Sequence, residues 1–113
     1  MGFQEIAEGT LISDGSEQVL LQQTDAGRYS GYIDLSGMIF GDIVIVREYI
    51  LIGNTYKIYH TESLVVPTDP ILYILPKESL NGIRLTLQQT VGGFKSYPYQ
   101  FIIEVIAGPA ITL

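Results

Sequence analysis

The sequence predicts an all-β chain, a two-sheet antiparallel β-sandwich of about eight strands with jelly-roll character. Three observations lead there. Runs rich in Val, Ile, Thr and Tyr recur along the chain, bounded by Gly, Pro, Asn, Asp and Ser about every 8–12 residues. The two longest runs meet at Gly53-Asn54, the strongest hairpin signal present. No stretch has the apolar periodicity of a long amphipathic helix.

Taken in order, residues 3–13 mix apolar and polar side chains and suit a first, peripheral strand. Ser13-Asp14-Gly15-Ser16 is a turn by composition. Residues 17–24 are strand-like. Asp25-Ala26-Gly27 then reads as a short hairpin loop with Gly27 in a left-handed conformation. Residues 28–35 follow, with Tyr29, Gly31, Ile33 and Leu35 on one parity and Tyr32 and Asp34 on the other. Between Asp34 and Asp42 the alternation stops. Leu35, Met38 and Ile39 suit one tucked helical turn, closed by Gly41.

Residues 42–66 form the central ribbon. A two-residue Gly-Asn loop predicts a type II′ turn, since Gly53 accepts positive φ at the first central position. That turn sets Ile52 opposite Thr55, Leu51 opposite Tyr56 and Tyr49 opposite Ile58. It also sets Glu48 opposite Tyr59 and Arg47 opposite His60. Neither face is cleanly polar, so the ribbon is expected to be covered on both, by a second sheet or another subunit.

Pro67-Thr68-Asp69-Pro70 makes a rigid connection, and residues 71–75 a short apolar strand ended by Pro76. Residues 77–82 read as a loop. Residues 82–90 alternate Ile83, Leu85, Leu87 against Arg84, Thr86, Gln88, a strand with one wet face. Gly92-Gly93 turns the chain into a last long strand, residues 95–106, in which Pro98 marks an edge or a bulge. Residues 1–108 are one domain, and 109–113 an apolar tail. Leu21-Gln22-Gln23-Thr24 returns as Leu87-Gln88-Gln89-Thr90, each copy leading through a Gly and a basic residue into a Tyr-rich strand. Both copies look like hairpins of one design.

Composition removes several functions. With no Cys, thiol catalysis, disulfides and thiolate metal sites are excluded. The net charge of −6, with six basic residues spread singly, argues against a nucleic-acid surface. No apolar run approaches the roughly 20 residues of a membrane helix, and no signal-peptide pattern opens the chain. The single His, His60, reads as a packed or half-exposed strand residue, because no Ser or Asp is placed to build a triad with it. Asp and Glu are scattered without ligand spacing. No catalytic residue, metal or cofactor is therefore expected. Glu48 beside Arg47 is read as an ion pair that fixes register or meets a partner.

Charged residues are 16% of the chain, against about 25% in an average one, and eight Tyr are present. Low charge and abundant Tyr suit a surface covered in an assembly. Ala110, Ile111, Thr112 and Leu113 at one end, and Phe3 and Ile6 at the other, are the expected contact arms of a homo-oligomer or of a larger coat. The alternative is a carbohydrate-binding sandwich that stacks sugars on Tyr29, Tyr32, Tyr97 and Tyr99. Packing of those rings in the core is the simpler reading, since they split over both strand parities and no Trp accompanies them.

The runs GRYSGYIDLSGMIFGDIVIVREY, LYILPK and GIRLTLQQTVGGFKSY resemble small β-sandwich proteins encoded by archaeal viruses and tailed phages, often among virion structural genes. The resemblance covers about Gln18 to Phe101 and leaves out the first strand and the tail. It implies a virion location and a role as a capsid decoration, cement or turret protein whose partners are a capsid protein or further copies of the chain. It carries no catalytic or binding residues with it.

Overall fold

A computed structural model describes residues 3–66 and 69–105, with the backbone alone for Phe3 and Val105. The expected arms Ala110, Ile111, Thr112 and Leu113, and the Phe3 side chain, lie outside the described residues. Eight strands are described: β1 (Phe3–Ile12), β2 (Gln18–Gln23), β3 (Gly27–Asp34), β4 (Ile43–Ile52), β5 (Thr55–Val65), β6 (Ile71–Ser79), β7 (Ile83–Val91) and β8 (Ser96–Val105). One sheet has the order β1-β8-β3-β6 and the other β2-β7-β4-β5, with every pairing antiparallel. This is the double Greek key of an eight-stranded jelly roll. No helix occurs among the described residues.

Alternation decides which side chains fill the space between the sheets. Tyr29 and Ile33 of β3, Val44 and Val46 of β4, Ile83, Leu85 and Leu87 of β7, and Tyr97, Phe101 and Ile103 of β8 are all buried there. Burying each such side chain stabilises the fold by roughly 1.5–3 kcal/mol relative to exposure. Gly31 shares the inward parity but has no side chain. The Phe101 ring takes its place, since a Cβ there would lie 2.3 Å from Phe101 Cδ1.

The β4–β5 hairpin turns at Gly53-Asn54 as expected. Gly53 has φ +63°, and among the described residues none other than glycine has positive φ, so Asn54 keeps the negative φ of a type II′ turn. The pairs Ile52–Thr55, Leu51–Tyr56 and Tyr49–Ile58 hold, and then a bulge takes Tyr59 out of register. Glu48 therefore stands opposite His60, and Arg47 opposite Thr61. The expected cover on both faces is corrected within this chain. β5 is an edge strand, and Ile58, Tyr59 and Val65 are exposed.

Other expectations change for topological reasons. Asp25-Ala26-Gly27 is not a hairpin loop, because β2 and β3 belong to different sheets. Gly27 is a buried strand residue without positive φ. It is needed for close approach, since a Cβ would sit 2.6 Å from the Ile103 side chain. The same correction applies to the second Leu-Gln-Gln-Thr copy, as β7 and β8 also lie in different sheets. The two copies are equivalent all the same: β2 pairs with β7 and β3 with β8. Pro76 does not end β6. It sits where β6 spends three steps, Ile74 to Lys77, against two on β3, Gly31 to Tyr29, a bulge on an edge strand. Pro98 lies beyond Tyr99, the last β8 residue that pairs with β3, where only β1 remains beside it. Between β3 and β4 two successive turns replace the single helical turn. Leu35 and Met38 are tucked in, and Ile39 faces out.

Candidate interaction surfaces

The antiparallel order gathers the β1–β2, β3–β4 and β7–β8 connections at one end of the sandwich. Their backbones are tied by a buried polar cluster. Ser13 Oγ donates to Gln89 Oε1 (2.6 Å), and Tyr97 Oη donates to the same oxygen (2.9 Å). Gln89 Nε2 donates to the carbonyls of Gly93 (2.7 Å) and Val91 (3.2 Å). Lys95 N donates to Ser13 Oγ (2.9 Å), and Ser13 N to the Lys95 carbonyl (2.9 Å). Lys95 Nζ reaches Asp42 Oδ2 at 3.0 Å, and Ile39 N donates to the same carboxylate at 2.9 Å. The Ile39 amide and the Lys95 ammonium hold the Asp42 carboxyl below its usual range against the opposing effect of burial. Burial, with the Asp42 charge nearby, pushes the Tyr97 phenol up to about 12. Ser13 and Asp42 from two connections, with Gln89 of β7 and Tyr97 of β8, thus find buried partners and hold the three loops in one arrangement.

On this rigid base the outer tips are apolar. Phe40 is 86% exposed, and Ile12, Ile39, Val91 and Phe94 are exposed with it. Phe94 leans on the β1–β2 turn, 3.7 Å from where a Gly15 Cβ would stand. Val65 continues the patch, because Val65, Ile43 and Val91 face one another across β5, β4 and β7. Asp14, Asp34 and Asp69 belong to the connections and strand end around the patch and give it an acidic rim. Asp14 and Asp34 are both held below the usual range by hydrogen bonds from the Ser two residues on.

A second surface lies on the outer face of the β1-β8-β3-β6 sheet. Across the β6 bulge, Leu75 and Pro76 stand against the small Ser30, leaving a hollow of about 390 Å³ walled by Tyr32, Tyr73 and Ile102 as well. The Tyr32 and Tyr73 rings meet edge to face at 6.3 Å. Tyr32 Oη donates to Gln100 Oε1 (2.6 Å), and Gln100 Nε2 donates to Glu5 Oε2 (2.6 Å). These bonds turn the polar atoms to one rim and leave apolar faces in the hollow.

The outer face of the other sheet carries a polar network around Glu17. Glu17 accepts from Thr86 Oγ1 (2.6 Å) and from Tyr49 Oη, and lies 3.6 Å from Arg47 Nη1. Burial pushes the Glu17 carboxyl up, and these partners more than offset it, leaving it below the usual range. Arg47 also donates to Gln88 (3.0 Å), and Arg84 stacks 4.1 Å over the Tyr56 ring. The β7 face expected to be wet is thereby partly covered, and Thr86 is buried.

The residues singled out by sequence fall as follows. Tyr29 and Tyr97 are 1% and 0% exposed, so neither can stack on a sugar. Tyr99 packs against the core and reaches across Gly9, and only Tyr32 lines an open hollow. Its partner there, Tyr73, was missed because nothing local in the sequence says that β6 pairs with β3 and sets Tyr73 opposite Tyr32. Ile6 sits at a β1 bulge, partly buried against the core rather than free as an arm. His60 faces Glu48 and lies 3.3 Å from Glu62 on its own strand. Arg47 and Glu48 point to opposite faces. Arg47 pairs with Glu17, while Glu48, 5% exposed, accepts from Tyr59 Oη (2.9 Å). Burial, and then the Glu48 charge, raise the Tyr59 phenol well above its usual value. Among the described residues no group of three or more His, Asp or Glu is arranged to hold a metal ion.

No family model and no curated protein sequence matches the chain. Solved structures share its fold, and two of them are from one virus. The structure of infectious bursal disease virus Gx strain aligns over 96% of this chain with a TM-score of 0.55 at 14% identity. The crystal structure of the infectious bursal disease virus VP2 subviral particle aligns over 97% with a TM-score of 0.56 at 12% identity. In each case the alignment takes in 34% of the viral chain, so this chain spans about a third of their length. The likeness is one of fold: a distant, viral capsid-like β-sandwich.

Proposed function

We propose that the chain is a virion structural module, a capsid-associated decoration, cement or turret component that acts through protein–protein contacts. The observation that carries this reading is the apolar loop end. Large side chains there are exposed on loops that a buried polar cluster holds rigid, the arrangement expected of a preformed contact surface. Its acidic rim selects a capsid-protein surface with an apolar centre and basic edge. The jelly-roll topology and the likeness to viral coat structures support the same reading.

The test is co-sedimentation with purified particles of the virus that encodes the chain. Wild type is expected in the pelleted fraction. The double variant Phe40→Ser, Phe94→Ser is expected in the supernatant. Its unfolding midpoint should barely move, since exposed substitutions usually change stability by less than about 0.5 kcal/mol. Equal binding by the double variant would defeat the assignment of this end as the contact surface.

A further inference from the structure

We propose that two copies of this chain join through β6, edge to edge and antiparallel, about a two-fold axis at Tyr73. The inference rests on the reading of the protein as an assembling module and names the surface through which copies join.

The free side of β6 follows from its pairing with β3. Leu35 N donates to the Pro70 carbonyl (2.6 Å), so that carbonyl faces β3. In an antiparallel ladder the residues whose N–H and C=O face a given neighbour alternate. Leu72, opposite Ile33, and Ile74, opposite Gly31, therefore face β3 as well. The N–H and C=O groups of Ile71, Tyr73 and Leu75 point the other way, where β6 is the edge of its sheet. Among the described residues no other element bonds to them. The same three residues carry exposed apolar side chains: Tyr73 is 71% and Leu75 66% exposed, with Ile71 exposed beside them. Pro70 and Pro76 bound the stretch, and no charge lies between Asp69 and Lys77.

This edge is complementary to itself. Pairing needs free-side residues opposite free-side residues. Of the antiparallel registers, only the one that sets Tyr73 opposite Tyr73 uses all three in both copies. It also sets Ile71 opposite the second copy's Leu75, and Leu75 opposite its Ile71. Every free N–H and C=O of the three residues then finds a partner. Pro70 falls opposite Pro76, and their missing N–H groups cost nothing there, since Pro70 is turned to β3 and Pro76 lies in the bulge. Charge fixes the direction. Asp69 of one copy comes alongside Lys77 of the other, whereas a parallel alignment would set Asp69 beside Asp69 and Lys77 beside Lys77. Tyr32 already stands opposite Tyr73 and meets it edge to face at 6.3 Å, so the joined sheet carries a row of Tyr rings across the axis. A foreign strand would have to reproduce this spacing, and a second copy has it already. The contact is isologous and uses up β6 in both copies, so it closes at two.

The experiment is native mass by light scattering over a dilution series, on the whole chain. Wild type is expected to pass from monomer to dimer as concentration rises. Ile71→Lys with Leu75→Lys sets like charges opposite each other and should weaken dimerisation roughly tenfold or more. Ile71→Lys with Leu75→Glu should restore it, since each new Lys then faces a new Glu of the other copy. Phe40→Ser should leave it unchanged. The chain has no Cys, so Tyr73→Cys supplies a single thiol on the axis. Directly paired residues hold their Cα atoms about 5.5 Å apart, within the span of a disulfide. Mild oxidation should link Tyr73→Cys into dimers far faster than Leu80→Cys, an exposed position off the axis. A wild type that stays monomeric, dimers indifferent to the double Lys variant, no restoration by Lys with Glu, or equal cross-linking at both positions would overturn the proposal. Because capsid co-sedimentation is read with Phe40 and Phe94, the module reading and this inference fail separately.

Discussion

At the scale of single residues the loop end is the most sensitive part of the molecule. Gly92 has φ +103°, and a Cβ there would stand 1.8 Å from Asp42 Oδ1. Gly92→Ala combines left-handed strain with a collision against a carboxylate that is already tied down. It should cost about 2–3 kcal/mol, read as a drop of about 10 °C in Tm. Asp42 gives the same region an acid limit. Its folded pKa is depressed, so its contribution is present above the unfolded pKa and is lost as the pH falls through the folded value. Urea midpoints should fall below about pH 4, and the fall should be shallower in Asp42→Asn. The buried phenols set the alkaline limit with the opposite sign. Tyr29 and Tyr97 are raised to about 12, so their contribution is complete below the unfolded value near 10 and is lost as the pH climbs through 12. A spectrophotometric titration should show these two phenols ionising late, as Tyr59 does, together with unfolding.

Elements show where sequence is informative and where it is silent. The β4–β5 hairpin could be read from Gly53-Asn54, because a two-residue turn is a local constraint and needs no tertiary context. Gly53→Ala should destabilise by about 1–2 kcal/mol, since Ala resists the positive φ, and hydrogen exchange should accelerate first in β4 and β5. The alternation of Ile83, Leu85 and Leu87 predicted their burial for the same local reason. Whether the residue after a turn returns to the same sheet or crosses to the other is not local. Asp25-Ala26-Gly27 and Gly92-Gly93 look like hairpin loops and act as crossings. Bulges were equally hidden. The slip after Tyr49 and the detour at Pro76 lie on pairings with the edge strands β5 and β6, and the first leaves Tyr59 bonded to Glu48. Of the candidate surfaces, then, the sequence announced abundant Tyr and low charge but not which rings would be outside.

For the whole molecule, topology assigns opposite work to the two sheets' outer faces. The β2-β7-β4-β5 face ties Glu17, Arg47 and Gln88 into one polar network, whereas the β1-β8-β3-β6 face keeps an apolar hollow. Apolar binding in that hollow should therefore be insensitive to salt, in contrast to steering by the acidic rim of the loop end, and sedimentation at low and high ionic strength separates the two. The strand order also constrains how the fold is reached. β1 has a single partner, and that partner is the last strand described. During synthesis at about 5–20 residues per second, β1 waits for many seconds before β8 exists. Through that interval its ladder groups face solvent, and the core lacks Tyr97, Phe101 and Ile103. Refolding of the complete chain should be slow for its size, in milliseconds to seconds as for other folds of distant pairings. The vulnerable species is the nascent chain, and a burdened cell would lose this protein to aggregation before β8 closes the sheet rather than to unfolding afterwards.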